Sequence, residues 1–259
     1  YFPNKSATKY IPAYWKNGTI YPMQDAATVN CVAVKGSDVY IGGGSFLTDN
    51  PIASTAATYW KNGVKHVISG DNDARVIAIY FKGNNVYMIG VSGYSLVYWI
   101  NDILTNIVAV YQDDLYAGPG SYIDGSDIYL SGVIDGFYSS HGGYWKNGEI
   151  TSLGPDNIKG AITSIKTLGA DLYCAGYIGH PGTIFVDAYY WKNGVATKIE
   201  ENACTTDLEI DDTDLFIGGY VTKSNLTEAV YWLNGKRIEL TNPMGFASKA
   251  LQITLAKHL

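Results

Sequence analysis

All six tryptophans of this chain fall in one short motif. Tyr-Trp-Lys-Asn-Gly occurs at residues 14–18, 59–63, 144–148 and 190–194, and two degenerate copies begin at Tyr98 and Tyr231. Successive tryptophans (Trp15, Trp60, Trp99, Trp145, Trp191, Trp232) stand 39 to 46 residues apart. Self-similarity at that period marks a supersecondary unit that cannot bury its apolar face alone and must stack on copies of itself. The length is that of one blade of a β-propeller.

One unit predicts the rest. Before Trp60, Val32 and Val34 alternate with small residues as a first strand, and Gly36-Ser37-Asp38 turns the chain into a second strand at 39–43. Residues 56–60 form a third strand, and Asn62-Gly63 leads into a fourth at 64–68. Asn-Gly between strand-like runs predicts a type I′ hairpin, because both central residues need positive φ. The second strand recurs at 85–90, 127–132, 171–176 and 214–219, opened by Asp or Asn and closed by Gly. The opening residue is expected to bond its own turn backbone, and the closing Gly to allow close backbone packing.

No run of ten or more residues carries helical periodicity, and no linker is rich in Pro or Ser. The expected fold is all-β, a single domain over residues 1–259: a six-bladed β-propeller of four-stranded blades. The chain opens with a third strand (11–15) and a fourth (19–23), and closes with an inner-strand pattern at 250–257. One blade is therefore expected to be split between the N- and C-termini, with its second strand missing or shortened. Joining both ends in one blade removes the open sheet edges.

Composition narrows the partners. The chain has 259 residues, 47% hydrophobic and 16% charged, enough to bury a core without disulfides or metal. With 18 Lys and Arg against 24 Asp and Glu, the formal charge of -6 argues against nucleic acid. No uncharged apolar stretch approaches the roughly 18 residues of a membrane-spanning helix. A monomer is expected. Cys31, Cys174 and Cys204 lack any metal-binding spacing and read as small buried hydrophobes, with one disulfide plus a free thiol as the alternative. The sequence starts at Tyr1 without Met and contains no basic segment followed by an apolar run, hence no signal peptide; a processed or trimmed chain is expected, which is compatible with an exported origin.

Units such as 171–177 followed by 188–194 resemble the Tyr-Trp-Lys-Asn-Gly repeat proteins of Bacteroidetes, and the resemblance covers essentially the whole chain. It implies a secreted or lipid-anchored protein of the cell envelope, extracellular or periplasmic, and it carries no established activity.

In a propeller the loops between second and third strands open on the same face as the blade-to-blade connections, so that face is the expected binding surface. Its loops hold Phe46, Asp49, Tyr94, Asp135, Phe137, Tyr138, His141, His180 and Phe185, aromatic and polar groups suited to stacking on and hydrogen-bonding a sugar. The blade connections carry Asp25, Asp71, Asp73, Asp114 and Asp156. A ring of such hard oxygen ligands would suit calcium, the one cofactor this sequence suggests. Turn chemistry explains the same residues without a cation. The Tyr-Trp pairs read as packing between blades, and the repeat lysines as a solvated rim.

No Gly-x-Ser-x-Gly nucleophile and no phosphate-binding glycine loop is present. The sequence favours a non-catalytic module of the cell envelope or exterior that binds a glycan or a protein partner. A glycan-directed hydrolase or lyase using acids at the channel mouth is the alternative, and a structural scaffold the second.

Overall fold

The computed structural model describes residues 2–3, 10–47, 55–70, 73–93, 95–109, 117–124, 127–136, 139–147, 149–155, 158–223, 226–240 and 246–255. All regular structure among them is antiparallel β, in two compact units, Tyr1–Asp113 and Asp114–Leu259. In the first unit β1 (Phe2–Pro3) pairs with β2 (Tyr10–Ile11), and β3 (Ala13–Lys16) with β4 (Thr19–Pro22). Two four-stranded sheets follow: β5 (Ala26–Lys35), β6 (Asp38–Phe46), β7 (Thr55–Lys61) and β8 (Val64–Ser69), then β9 (Arg75–Lys82), β10 (Asn85–Ser92), β11 (Ser95–Ile100) and β12 (Ile103–Ala109).

The second unit has three such sheets. They are β13 (Ala117–Asp124), β14 (Asp127–Gly136), β15 (Ser139–Lys146) and β16 (Glu149–Ser152); β17 (Gly160–Leu168), β18 (Asp171–Gly179), β19 (Val186–Lys192) and β20 (Val195–Glu200); and β21 (Ala203–Asp211), β22 (Asp214–Lys223), β23 (Leu226–Leu233) and β24 (Lys236–Glu239). In every one the strands lie in sequence order, the meander of a propeller blade.

The Asn-Gly hairpins form as expected, with φ of 50° and 83° at Asn62 and Gly63 and 50° and 82° at Asn193 and Gly194. The asparagine does more than turn. Asn193 Oδ1 accepts from the Leu172 amide at 2.8 Å, and its Nδ2 donates to Asp171 at 2.7 Å. Asn62, Asn101, Asn147 and Asn234 make the same pair of bonds to the start of their own second strands. The opening acid thus bonds across the sheet to the hairpin rather than its own turn. It also pairs with the repeat lysine, Lys61–Asp38 at 2.8 Å and Lys146–Asp127 and Lys192–Asp171 at 2.7 Å. The same lysines lie over the rings of Tyr40, Tyr129 and Tyr173. The rim lysines are therefore partners of the second strand.

The glycine that closes the second strand answers to the first. Strands β5, β9, β17 and β21 each carry an extra residue opposite it, namely Asn30, Ile77, Thr163 and Thr206. Such a bulge leaves the extra residue unpaired and bends its strand. A Cβ on Gly43, Gly90, Gly176 or Gly219 would fall on the carbonyl oxygen of Thr28, Arg75, Ala161 or Cys204. Three of the bulged residues reach toward the next part of the fold: Asn30 Nδ2 donates to Val76 O, Thr163 Oγ1 meets Thr205 Oγ1, and Thr206 Oγ1 donates to Ala250 O.

The core lies between consecutive sheets within each unit. Tyr40, Ala57 and Tyr59 pack on Val76, Ile79, Met88 and Trp99. Ala175 and Ala188 pack likewise on Leu208, Ile217 and Trp232. Five of the six tryptophans are 2% exposed or less. Three indoles donate to residues shortly before their sheet: Trp60 to Asp25, Trp191 to the Leu153 carbonyl, and Trp232 to Glu200 at the end of β20.

The sixth repeat departs from expectation. Trp15 is 57% exposed, and β3 and β4 form a two-stranded ribbon rather than a four-stranded sheet. Residues 250–255, expected to form an inner strand, pair in no ladder among the described residues. They lie along the last sheet instead, where Ala250 N donates to Gly219 O, Ile253 N to Asp207 Oδ2, and the Ile253 side chain packs at Gly218. That is the place an inner strand takes against the sheet before it, as Ile79 does at Gly42. All three cysteines are free thiols, which removes the disulfide alternative. Burial pushes the Cys31 thiol up to about 12 and raises those of Cys174 and Cys204 as well.

Candidate functional site

Among the loops between second and third strands, the one joining β18 to β19 brings its ends together around a buried carboxylate. Asp187 enters β19 as the partner of Ile178, which sets its side chain beside the first residues of the loop. His180 Nε2 lies 2.8 Å from Asp187 Oδ1, the Asn202 amide donates to the same oxygen at 3.0 Å, and Lys198 Nζ stands 3.5 Å from Oδ2. Lys198 also pairs with Glu201 at 2.8 Å. Burial by itself would raise the Asp187 carboxyl. The bonds from His180 and the Asn202 amide, with the charges of His180 and Lys198, outweigh it and hold the group below the ordinary carboxylate range.

The loop is closed by its own backbone. His180 N donates to Phe185 O at 3.0 Å, Thr183 N to His180 O at 3.2 Å, and Phe185 N to Thr183 Oγ1 at 3.2 Å. These bonds place Ile184, 93% exposed, and Phe185, about half exposed, at the tip. The result is a rigid turn with an apolar crest and an imidazole at its base. It offers a flat ring for stacking and ionisable donors beside it.

Of the other sequence-derived candidates, Phe46 ends β6 and is half-buried. His141 lies in β15 opposite Ile134, with its Nδ1 buried and without a hydrogen-bond partner among the described residues. Asp135 takes its place in β14 opposite Ser140. Asp49, Tyr94, Phe137, Tyr138, Asp71, Asp114 and Asp156 lie outside the described residues. Asp25 accepts from the Trp60 indole and pairs with Lys65 at 3.5 Å, so its position is explained by packing. Asp73 sits at φ 58° in the turn before β9, the backbone role that Asp fills readily. No group of three His, Cys, Asp or Glu able to hold a metal occurs among the described residues.

Sequence reasoning missed Asp187 and Lys198. The signal was an acid seven positions after His180, at the far end of a loop whose ends a hairpin must bring together.

No family model and no curated protein matches the chain. Among solved structures it is similar to an acylaminoacyl peptidase in complex with a chloromethyl ketone, with a TM-score of 0.50, 14% identity and 87% of this chain covered. An acylaminoacyl peptidase of Pyrococcus horikoshii matches with a TM-score of 0.49 and 15% identity over 88% of this chain. An exo-1,5-alpha-L-arabinanase from a bovine ruminal metagenomic library matches with a TM-score of 0.39 and 8% identity over 81%. This chain spans 40% of each peptidase chain. At such identities the likeness concerns fold alone: an all-β, propeller-like arrangement of four-stranded sheets.

Proposed function

We propose that the chain is a non-catalytic binding module that recognises a glycan through the loop-bearing ends of its sheets. The supporting observation is the hydrogen-bonded turn at 180–187, which holds Phe185 about half exposed two residues before Asp187, the carboxylate that His180 and Lys198 pair with. A ring face stacks on sugar C–H groups while neighbouring donors take the hydroxyls. The Asp187 carboxylate is engaged on both oxygens, which suits positioning better than proton transfer.

The same proposal includes the architecture and setting: the whole chain as one six-bladed ring, its split blade built from both ends, in a repeat protein of the bacterial envelope or exterior. The blade-type sheets and the inner-strand placement of residues 250–255 support the ring. A protein partner is the second reading, favoured by the bare Ile184 at the crest.

The test is a screen of polysaccharides against the purified chain, with calcium and again with chelator. Retention of a glycan that weakens about threefold to tenfold in Phe185→Ala is the expected result. Loss of retention with chelator would return the acidic connections to consideration as a cation site. Shortening of a bound polysaccharide would replace this reading by a hydrolase or lyase, and retention of no glycan would overturn it in favour of a protein partner.

A further inference from the structure

Lysine over tyrosine recurs in this fold, and one copy differs from the rest. Lys61 stands over Tyr40, Lys146 over Tyr129, Lys166 over Tyr122 and Lys192 over Tyr173, each nitrogen 5.2 or 5.3 Å from the ring centre. Each of these four also holds a carboxylate at 2.7 or 2.8 Å, namely Asp38, Asp127, Glu209 and Asp171. Lys249 lies closer to its ring, 4.3 Å from the centre of Tyr220. Yet it is exposed, and no carboxylate pairs with it among the described residues.

The groups beneath Lys249 form a compact cluster. Tyr220 faces Cys204 across the β21–β22 ladder and its hydroxyl donates to the Cys204 sulfur, which in turn donates to the Thr205 carbonyl at 3.4 Å. Tyr177, from β18, stands near the same sulfur: burial, then the charge Cys204 can carry, raises its phenol. Both tyrosines are half-buried and follow a closing glycine, Gly176 or Gly219. The segment that bears Lys249 is fixed on both sides, by Ser248 N donating to Thr227 O at 2.8 Å and Ala250 N to Gly219 O at 3.2 Å. The cluster shares its end of the sheets with the 180–187 turn, for Tyr177 lies opposite Ala188, next to Asp187. Asn202 ties the two together, its amide on Asp187 and its carbonyl accepting from Thr222 N at 2.8 Å. Nearby acids are already engaged, Asp187 and Glu201 with Lys198 and Glu228 with Lys223.

We propose that the glycan bound at this end is acidic, and that Lys249 takes the carboxylate of a uronic acid residue. This inference rests on the reading of the chain as a glycan-binding module. The ligand carboxylate fills on Lys249 the place that Asp38, Asp127, Glu209 and Asp171 fill on the other four lysines. An ammonium held against a ring face keeps its charge available on the open side. The Tyr177 and Tyr220 phenols add polar edges for the sugar hydroxyls.

The probes are dye-labelled oligomers of galacturonate, glucuronate and mannuronate, each beside its neutral methyl ester, titrated into the full chain and read by fluorescence anisotropy. At least one acid form should bind about twofold to fivefold more tightly than its ester, the size of one exposed ion pair, and high salt should erase the difference. Lys249→Met should weaken the acid form by the same factor and leave the ester unchanged. Lys236→Met, at the opposite end of the same sheet, should change nothing. Equal binding of acid and ester would overturn the inference while leaving the glycan reading in place, as would an equal loss in Lys236→Met. Poly-glutamate that binds through Lys249 where no uronate does would overturn it in favour of an acidic peptide. Binding of no oligosaccharide, charged or neutral, would remove the glycan reading itself.

Discussion

The hairpins 14–18 and 190–194 have the same five residues and opposite fates. Both turn on an Asn in the left-handed region, φ 51° at Asn17 and 50° at Asn193. Both tryptophans sit at the same place in the register, Trp15 opposite Ile20 and Trp191 opposite Ala196. Yet Trp191 is buried with its indole bonded to Leu153 O, while Trp15 is mostly exposed. The motif therefore encodes the hairpin, whereas the burial is supplied by the sheet before it and the second strand beside it. A local sequence sets local geometry, and the free energy of the tryptophan is non-local.

The sharpest way to break this comparison is to truncate the two rings in parallel. Trp191→Ala or Trp232→Ala should cost about 3–5 kcal/mol, the loss of a fully buried aromatic with its cavity. Trp15→Ala should cost within about 0.5 kcal/mol, like other exposed substitutions. Urea midpoints of the three variants measure it. Equal losses would mean that Trp15 is buried in solution and that the first hairpin belongs to a complete blade.

This contrast also shows what the sequence could and could not disclose. The turns and the four-strand order follow from alternation and Asn-Gly chemistry, and β7 and β8 lie within a residue of the strands read around Trp60, whereas β5 begins six residues before Val32 and β6 runs three beyond Gly43. The bulges were hidden, because one extra residue such as Thr163 leaves the alternation on either side intact. Asp25 looks like a candidate cation ligand in sequence, but it accepts from the Trp60 indole thirty-five residues later, as Glu200 does from Trp232. Asp187 could be paired with His180 from the hairpin that joins the ends of their loop, but its partners Lys198 and Asn202 come from other segments that no local spacing points to. Pairings made by stacking leave no trace in a single period.

A second contrast concerns the glycines that face the bulges. Gly219→Ala would drive its Cβ onto the Cys204 carbonyl and should cost roughly 3 kcal/mol, since backbone on both sides limits relaxation. Gly70→Ala, at a position with open space around it, should leave the midpoint within about 0.5 kcal/mol. Similar midpoints for the two would show that the bulge shifts at little cost.

Smaller again is the hairpin asparagine. Asn193→Ala loses its bonds to Leu172 and Asp171 and places Ala at positive φ, together about 1–2 kcal/mol. Asn17→Ala should cost only the backbone part, about 1 kcal/mol.

The smallest effect is electrostatic and has a defined sign. The repeat lysines, then the hairpin asparagines, hold the carboxyls of Asp38, Asp127 and Asp171 below the ordinary value of 3.8. A carboxyl depressed in the folded state stabilises that state fully at pH values above its unfolded value, and the contribution is lost as pH falls through the lowered folded value. Stability should thus be flat from neutrality down to about pH 5 and decline in the acid range below about pH 4. These groups are solvent-exposed, so salt should weaken the effect. Asp171→Asn removes one such group and should make the acid decline shallower, while Lys16→Ala, in the ribbon with no aspartate paired to it among the described residues, should leave the profile unchanged. Denaturation midpoints at pH 7, 4 and 2.5 decide it: an acid decline in the parent that Asp171→Asn does not reduce would assign the decline to other carboxyls, Asp187 first among them.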